Sequence, residues 1–198
     1  MAFNINNFKN NLVYGGARPS LFEVQMTLPI NLIPTANGVL DASLTSGADF
    51  ARKLSFMCKA TSIPPSTISS IEVPYFGRKV KVAGNRTFEE WSITVINDED
   101  FAIRRGFESW MAAINGHSSN LKNSGVDSKP ASYQVEAVVK HFAKNNSTIP
   151  VRAYLLSNVF PTSISSIELD WGTENEIEQF TVQLQYDYWT VFGESPRP

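Results

Sequence analysis

The sequence predicts a mainly β fold. Two packed antiparallel sheets form a sandwich or barrel, with one flanking α-helix over about residues 98–115. Three observations carry this. Phe180, Val182, Leu184, Tyr186 and Tyr188 alternate with Thr181, Gln183, Gln185, Asp187 and Trp189, the period of a half-buried strand. Trp91, Ile93 and Val95 alternate with Ser92 and Thr94 in the same way. Between Asp98 and Asn115, Ile103, Phe107, Trp110, Met111 and Ile114 make an apolar stripe at helical spacing.

Taken in order, residues 1–20 form an Asn-rich arm with Ile5, Phe8 and Leu12 at helix-like spacing. Leu21 to Leu28 is a strand, with Phe22, Val24, Met26 and Leu28 on one face. Pro29 to Phe50 is a long loop holding Leu32, Ile33, Val39, Leu40 and Leu44. Such a loop would expose these apolar groups unless something covered them. Arg52 to Lys59 reads as a strand, because Leu54, Phe56 and Cys58 alternate. Pro64-Pro65 stops it, and Ile68 to Tyr75 follows as another strand.

Val80 and Val82 alternate with Lys79 and Lys81, and Gly84-Asn85 reads as the hairpin turn before the strand ending at Ile96. Asn97 or Asp98 is the expected helix cap, with Glu99 and Asp100 in the first turn, where acids suit the helix dipole. Asn115-Gly116 stops the helix. Ala131–Phe142, Val151–Asn158, Ile164–Asp170 and Phe180–Trp189 complete the strands. The whole chain, 1–198, is expected to form one domain, with residues 190–198 as a C-terminal tail.

An internal echo runs through this pattern. Pro65-Ser-Thr-Ile-Ser-Ser-Ile-Glu-Val73 resembles Pro161-Thr-Ser-Ile-Ser-Ser-Ile-Glu-Leu169. Phe88 to Val95 and Ile177 to Leu184 follow as matching alternating strands. Two readings stay open, pseudo-symmetry of two sheet halves or shared β-composition, and the nine-residue match favours the former.

Charged residues make up only 18% of the chain against a usual ~25%, and interface cores are depleted of charge. The net charge of -2 argues against a tight non-specific nucleic-acid binder, which needs clustered cations. A single cysteine, Cys58, rules out an intrachain disulfide. No apolar run is long enough to span a bilayer, and the N-terminus lacks a signal-peptide apolar region, so a cytosolic setting is expected.

Catalytic signatures are missing. His117 and His141 have no Cys or second His at metal-ligand spacing, and neither a phosphate-binding glycine loop nor a nucleophile elbow occurs. No catalytic, metal or cofactor site is expected. Two readings stay open for Arg78, Lys79, Lys81 and Arg86. They are either a charged edge strand that discourages aberrant pairing, or a subunit contact with Glu174, Glu176 and Glu178.

Four stretches carry a resemblance: Ala17 to Phe22, Cys58 to Pro64, Phe76 to Asp100 (FGRKVKVAGNRTFEEWSITVINDED), and LDWGTENEIEQFTVQLQYDYW. Together, and in this order, they resemble the tail tube proteins of T-even-type contractile-tailed bacteriophages, a fold related to type VI secretion tubes. The resemblance implies a structural virion protein in the tail, made in the host cytoplasm. Rings of six would stack into a hollow tube inside a contractile sheath, with baseplate and tube-terminator proteins at its ends. DNA would pass through without specific binding, and no membrane is involved. On that view Thr181, Gln183 and Gln185 face the lumen. Phe8, Leu12 and the apolar residues of the 29–50 loop meet the next ring. Arg104, Arg105 and Glu108 face the sheath. A baseplate tube-initiator of the same fold is the alternative, and a nucleic-acid-binding module the alternative from another class.

Overall fold

The computed structural model describes residues 4–12, 16–29, 47–122, 129–144 and 146–192, with backbone alone at 146–148. Among these residues the fold is mainly β, built of two antiparallel sheets, with three α-helices rather than one. The elements are α1 (Ile5–Asn11), β1 (Phe22–Met26), α2 (Gly47–Met57), β2 (Cys58–Thr61), β3 (Thr67–Tyr75), β4 (Arg78–Thr87) and β5 (Trp91–Ile96). There follow α3 (Ala102–Ile114), β6 (Val135–Ala143), β7 (Asn146–Ile164), β8 (Gln179–Gln185) and β9 (Tyr188–Val191).

The main sheet runs β1-β6-β7-β8-β5-β2, with β9 also paired to β7. The first part of β7 pairs with β6 and β9, and its last part, Phe160 to Ile164, pairs with β8. One long strand therefore serves both halves of the sheet. β3 and β4 form a separate two-stranded sheet. The inward residues of both halves join one core with Phe50 and Leu54 of α2 and Ile103, Phe107 and Trp110 of α3. Phe107 packs edge-on against Phe50 at 5.4 Å and stacks with Trp110 at 6.2 Å.

The β5–β8 register accounts for half of the sequence echo. Trp91 pairs with Leu184, Ile93 with Val182, and Val95 with Phe180. Aligning the echo places Trp91 on Phe180 and Val95 on Leu184, so the pairing is that of a local two-fold through Ile93 and Val182. The nonapeptide half of the echo does not obey it. Pro161 to Ile164 pairs with β8, whereas Pro65 to Val73 stands outside the main sheet.

Several expected elements differ. Arg52 to Met57 is helical, because Phe50, Leu54 and Met57 lie at helical spacing: Phe50 and Leu54 are buried, Met57 packs against the core, and Phe56 is 80% exposed. The hairpin turn is Phe76-Gly77, both with positive φ (44° and 78°), the two-residue connection that suits strand twist. Gly84 instead lies inside β4, where an added Cβ would meet Ser69 Oγ at 2.5 Å. The α3 helix starts at Ala102 with no side-chain cap. Asp98 and Asp100 instead grip Lys53 of α2 at 2.7 and 2.8 Å, joining the two helices. Ser165 to Asp170 is not a strand, and the expected Phe180–Trp189 strand bends at Tyr186-Asp187 into β8 and β9. There Asp187 accepts from Asn158 Nδ2, opposite a positive φ in β7.

Burial pushes the Cys58 thiol from its ordinary 9.0 up to about 12, outweighing the lowering from the Ala60 backbone. Above pH 9 the unfolded chain loses this proton and the folded chain keeps it. This contribution to stability therefore falls as pH rises from 9 to about 12. Iodoacetamide at pH 8 is expected to label the folded chain roughly a hundredfold or more slowly than the urea-unfolded chain, read by mass spectrometry. Equal labelling would show Cys58 to be accessible.

Candidate functional site

The last part of β7 with β8, β5 and β2 makes a four-stranded antiparallel sheet with one face in the core and one outward. Burial alternates strictly along β5 and β8, so Ser92, Thr94, Gln179, Thr181, Gln183 and Gln185 share the outward face with one apolar residue, Ile96. Thr94 and Thr181 hydroxyls bond across the strands at 3.2 Å. Lys59 Nζ donates to Gln179 Oε1 at 2.7 Å, and Gln185 Nε2 donates to Glu90 Oε1 at 2.9 Å. The face is thus dominated by hydroxyls and amides, and the Lys59 and Glu90 charges are each tied to a glutamine. Both edges of this sheet, β2 on one side and Phe160–Ile164 on the other, are unpaired among the described residues.

At one end of this sheet the β3–β4 hairpin projects. Every residue of both strands is exposed except Gly84, which is intermediate. The register puts Ile71 opposite Val82 and Val73 opposite Val80, so one face of the ribbon is apolar. The other face carries Lys81 and the Lys79–Glu72 ion pair, 2.6 Å. Arg78 pairs with Tyr75 beside the tip, and Arg86 lies near the base.

The roots of the hairpin are held by aromatic donors. Trp91 Nε1 lies 2.9 Å from Thr61 Oγ1 and 3.0 Å from Ser62 O. Trp189 Nε1 donates to Pro65 O at 3.2 Å, and the Tyr186 hydroxyl reaches the same carbonyl at 3.5 Å. The Tyr186 ring packs at 5.9 Å on Phe88, the other root. Burial, and then the Glu89 charge, hold the Tyr186 phenol above its ordinary pKa, so it remains a donor. Trp189→Phe keeps the ring and removes one N–H. It is expected to cost about 1 kcal/mol and to speed hydrogen exchange in residues 66–87 several-fold. Unchanged exchange there would show that this bond does not fix the hairpin.

At the opposite end of the sheet, every residue from 168 to 177 is exposed, while Ile167 packs on the core. Leu169, Trp171 and Ile177 are 82, 100 and 75% exposed, among Glu168, Asp170, Glu174 and Glu176. Residues 166–179 line a concavity. Glu178 is half-buried and accepts from Asn97 Nδ2 at 3.0 Å, so it is engaged within the chain. No ion pair among the described residues joins the hairpin cations to Glu174, Glu176 or Glu178.

Arg104 is drawn inward. It bonds Ser165 O at 3.2 Å and Glu108 at 2.9 Å, and it lies 5.4 Å from the centre of the Phe180 ring. Arg105 is half-buried and Glu108 exposed. Phe8 and Leu12 are exposed with Ile5 on α1. Leu32, Ile33, Val39, Leu40 and Leu44 lie outside the described residues. Sequence reasoning passed over Phe76 and Trp171 as surface groups. The Phe-Gly pair between two alternating runs was the available signal for the first.

Among the described residues no group of three His, Cys, Asp or Glu side chains is placed to hold a metal, and no helix is long and apolar enough to cross a membrane.

The profile of the family described as phage tail tube protein matches residues 17–192. The tail tube protein gp19 of Enterobacteria phage T4 is 31% identical over 173 residues, 87% of this chain and 90% of that protein. The tail tube protein of Serratia phage KSP90 is 26% identical over 184 residues, 92% of this chain and 93% of that protein. A chain from the cryo-EM structure of the anti-feeding prophage baseplate superposes with a TM-score of 0.56 at 15% identity, covering 89% of this chain and 95% of that one. A chain from the sheath–tube complex of an extracellular contractile injection system superposes with a TM-score of 0.52 at 16% identity, covering 92% and 95%.

Proposed function

This chain belongs to the phage tail tube protein family and is a structural component of the virion's tail tube; on that premise we propose that six copies close into a ring through the two free edges of the four-stranded sheet. The observation that carries this is the sheet itself: polar outside, apolar inside, with both edges open. Its strands alternate in direction, so β2 of one copy meets Phe160–Ile164 of the next antiparallel, and both edges of this four-stranded sheet are paired when the ring closes. At about 4.8 Å per strand, roughly 24 strands give a circumference of about 115 Å. The bore is then about 37 Å between backbones, or ~48 Å once the strands tilt by roughly 40°.

The outward face then lines the bore. Thr181, Gln183 and Gln185 offer neutral groups that do not hold phosphates, so DNA slides past them during ejection. Rings stack into a tube whose partners are the sheath, baseplate and terminator proteins, after assembly in the host cytoplasm. The hairpin cations and the acidic 165–178 segment sit at opposite ends of the sheet, which favours open-ended stacking over a single initiator ring. The α1 arm, with exposed Phe8 and Leu12, contacts a neighbouring ring, and Leu32, Ile33, Val39, Leu40 and Leu44, ahead of α2, do the same. On the outer wall Glu108, rather than Arg104, meets the sheath. Replacing Thr181, Gln183 and Gln185 together with lysine is expected to slow DNA ejection from intact virions at least several-fold. Unchanged ejection through intact tubes would remove these residues from the lumen.

A further inference from the structure

We propose that the hairpin tip of one copy seats in the 166–179 concavity of a second copy, with Phe76 and Trp171 as the aromatic anchors of ring stacking. This deepens the ring-and-tube reading above and rests on it.

The geometry follows from strand register. The hairpin leaves at the end of the sheet where Trp91 faces Leu184, and the acidic segment returns where Ile96 faces Gln179. Knob and concavity therefore lie at opposite ends of one sheet. A contact between them in successive copies is head-to-tail and repeats without limit.

The two surfaces are complementary in chemistry. The tip presents Tyr75 and Phe76, 66 and 92% exposed and packed edge-on at 4.7 Å, beside Arg78. The concavity presents Leu169, Trp171 and Ile177 with Glu168, Asp170 and Glu176. A fully exposed tryptophan is uncommon, and buried aromatics with arginine dominate the energetics of interfaces.

Backbone conformation points the same way. Phe76 has φ 44°, in the left-handed region where a turn of this type favours asparagine. An aromatic held there against its local preference needs a use for its side chain. A lone two-stranded ribbon is also marginal in water, so the apolar face of the hairpin needs cover.

The test uses the full chain. Phe76→Asn improves the turn and removes the ring, so a merely structural role predicts a hairpin at least as well ordered and unchanged assembly. Docking predicts that F76N and Trp171→Ala each raise the critical concentration for tubes at least about tenfold while rings persist. Combined, the two changes should do little more than either alone. In parallel, a benzophenone side chain introduced at Phe76→p-benzoylphenylalanine should cross-link to residues 166–179 of another copy, identified by mass spectrometry. F76N tubes with wild-type critical concentration, or cross-links confined to other segments, would overturn the docking and leave ring formation standing. A wild-type chain that forms no rings would remove both.

Discussion

Trp91→Ala should destabilise the folded chain by about 3–5 kcal/mol, measured by urea unfolding. Trp91 is fully buried at the start of β5, opposite Leu184 of β8. Its truncation opens a large cavity that strands of a paired sheet cannot collapse to fill. It also strips the donor from Thr61 Oγ1 and Ser62 O, where β2 turns out toward the hairpin. Trp91→Phe separates these effects, retaining most of the packing and losing the hydrogen bonds, with an expected loss of about 1–3 kcal/mol. A loss under about 1 kcal/mol for the alanine variant would mean that the β5–β8 pair does not anchor the core.

The second large effect falls on assembly rather than stability. Replacing residues 66–87 by a short Gly-Ser link removes the whole hairpin. None of those residues belongs to the buried core. The shortened chain is therefore expected to melt within a few degrees of the parent, while tube formation, followed by electron microscopy, is abolished. Tubes of normal length from the shortened chain would show that the hairpin has no part in stacking. Loss of the fold would show that the clasp formed by Tyr186, Trp189 and Trp91 works in both directions, with the hairpin bracing the body.

The sheet strands were legible because their alternation is local and unbroken. Trp91 to Val95 and Phe180 to Leu184 read correctly residue by residue, as did the apolar stripe of α3. The polar face was legible from the same period. α2 was misread because Leu54, Phe56 and Cys58 happen to alternate, while its buried partners Phe50 and Leu54 span the presumed end of a loop. The hairpin turn was misplaced because Gly84-Asn85 looks like a turn signal and Phe76-Gly77 does not. What decides the matter is the β3–β4 register, which pairs Tyr75 with Arg78 across Phe76-Gly77 and sets Gly84 beside Ser69. Asp98 was read as a cap and Asp100 as a partner of the helix dipole, but Lys53 of α2 claims both, again a tertiary partner. The joining of two expected strands into β7 depended on a bend at Asn158 held by Asp187 of another strand. The family resemblance gave the role of the chain; the knob and the concavity emerged only from register, which assigns them to opposite ends of one sheet.

Edge pairing between copies is tested most directly by an engineered disulfide between Ala60→Cys on β2 and Thr162→Cys on β7. Within one chain these edges are separated by three strand spacings, about 14 Å, too far for a disulfide. Buried Cys58 does not compete. Tubes of the double variant, oxidised and run on a non-reducing gel, should give a covalent ladder ending at six copies, absent from either single variant. Well-formed tubes that yield only monomers would show that the rings close through some other surface, and that this sheet does not line the bore as a continuous barrel.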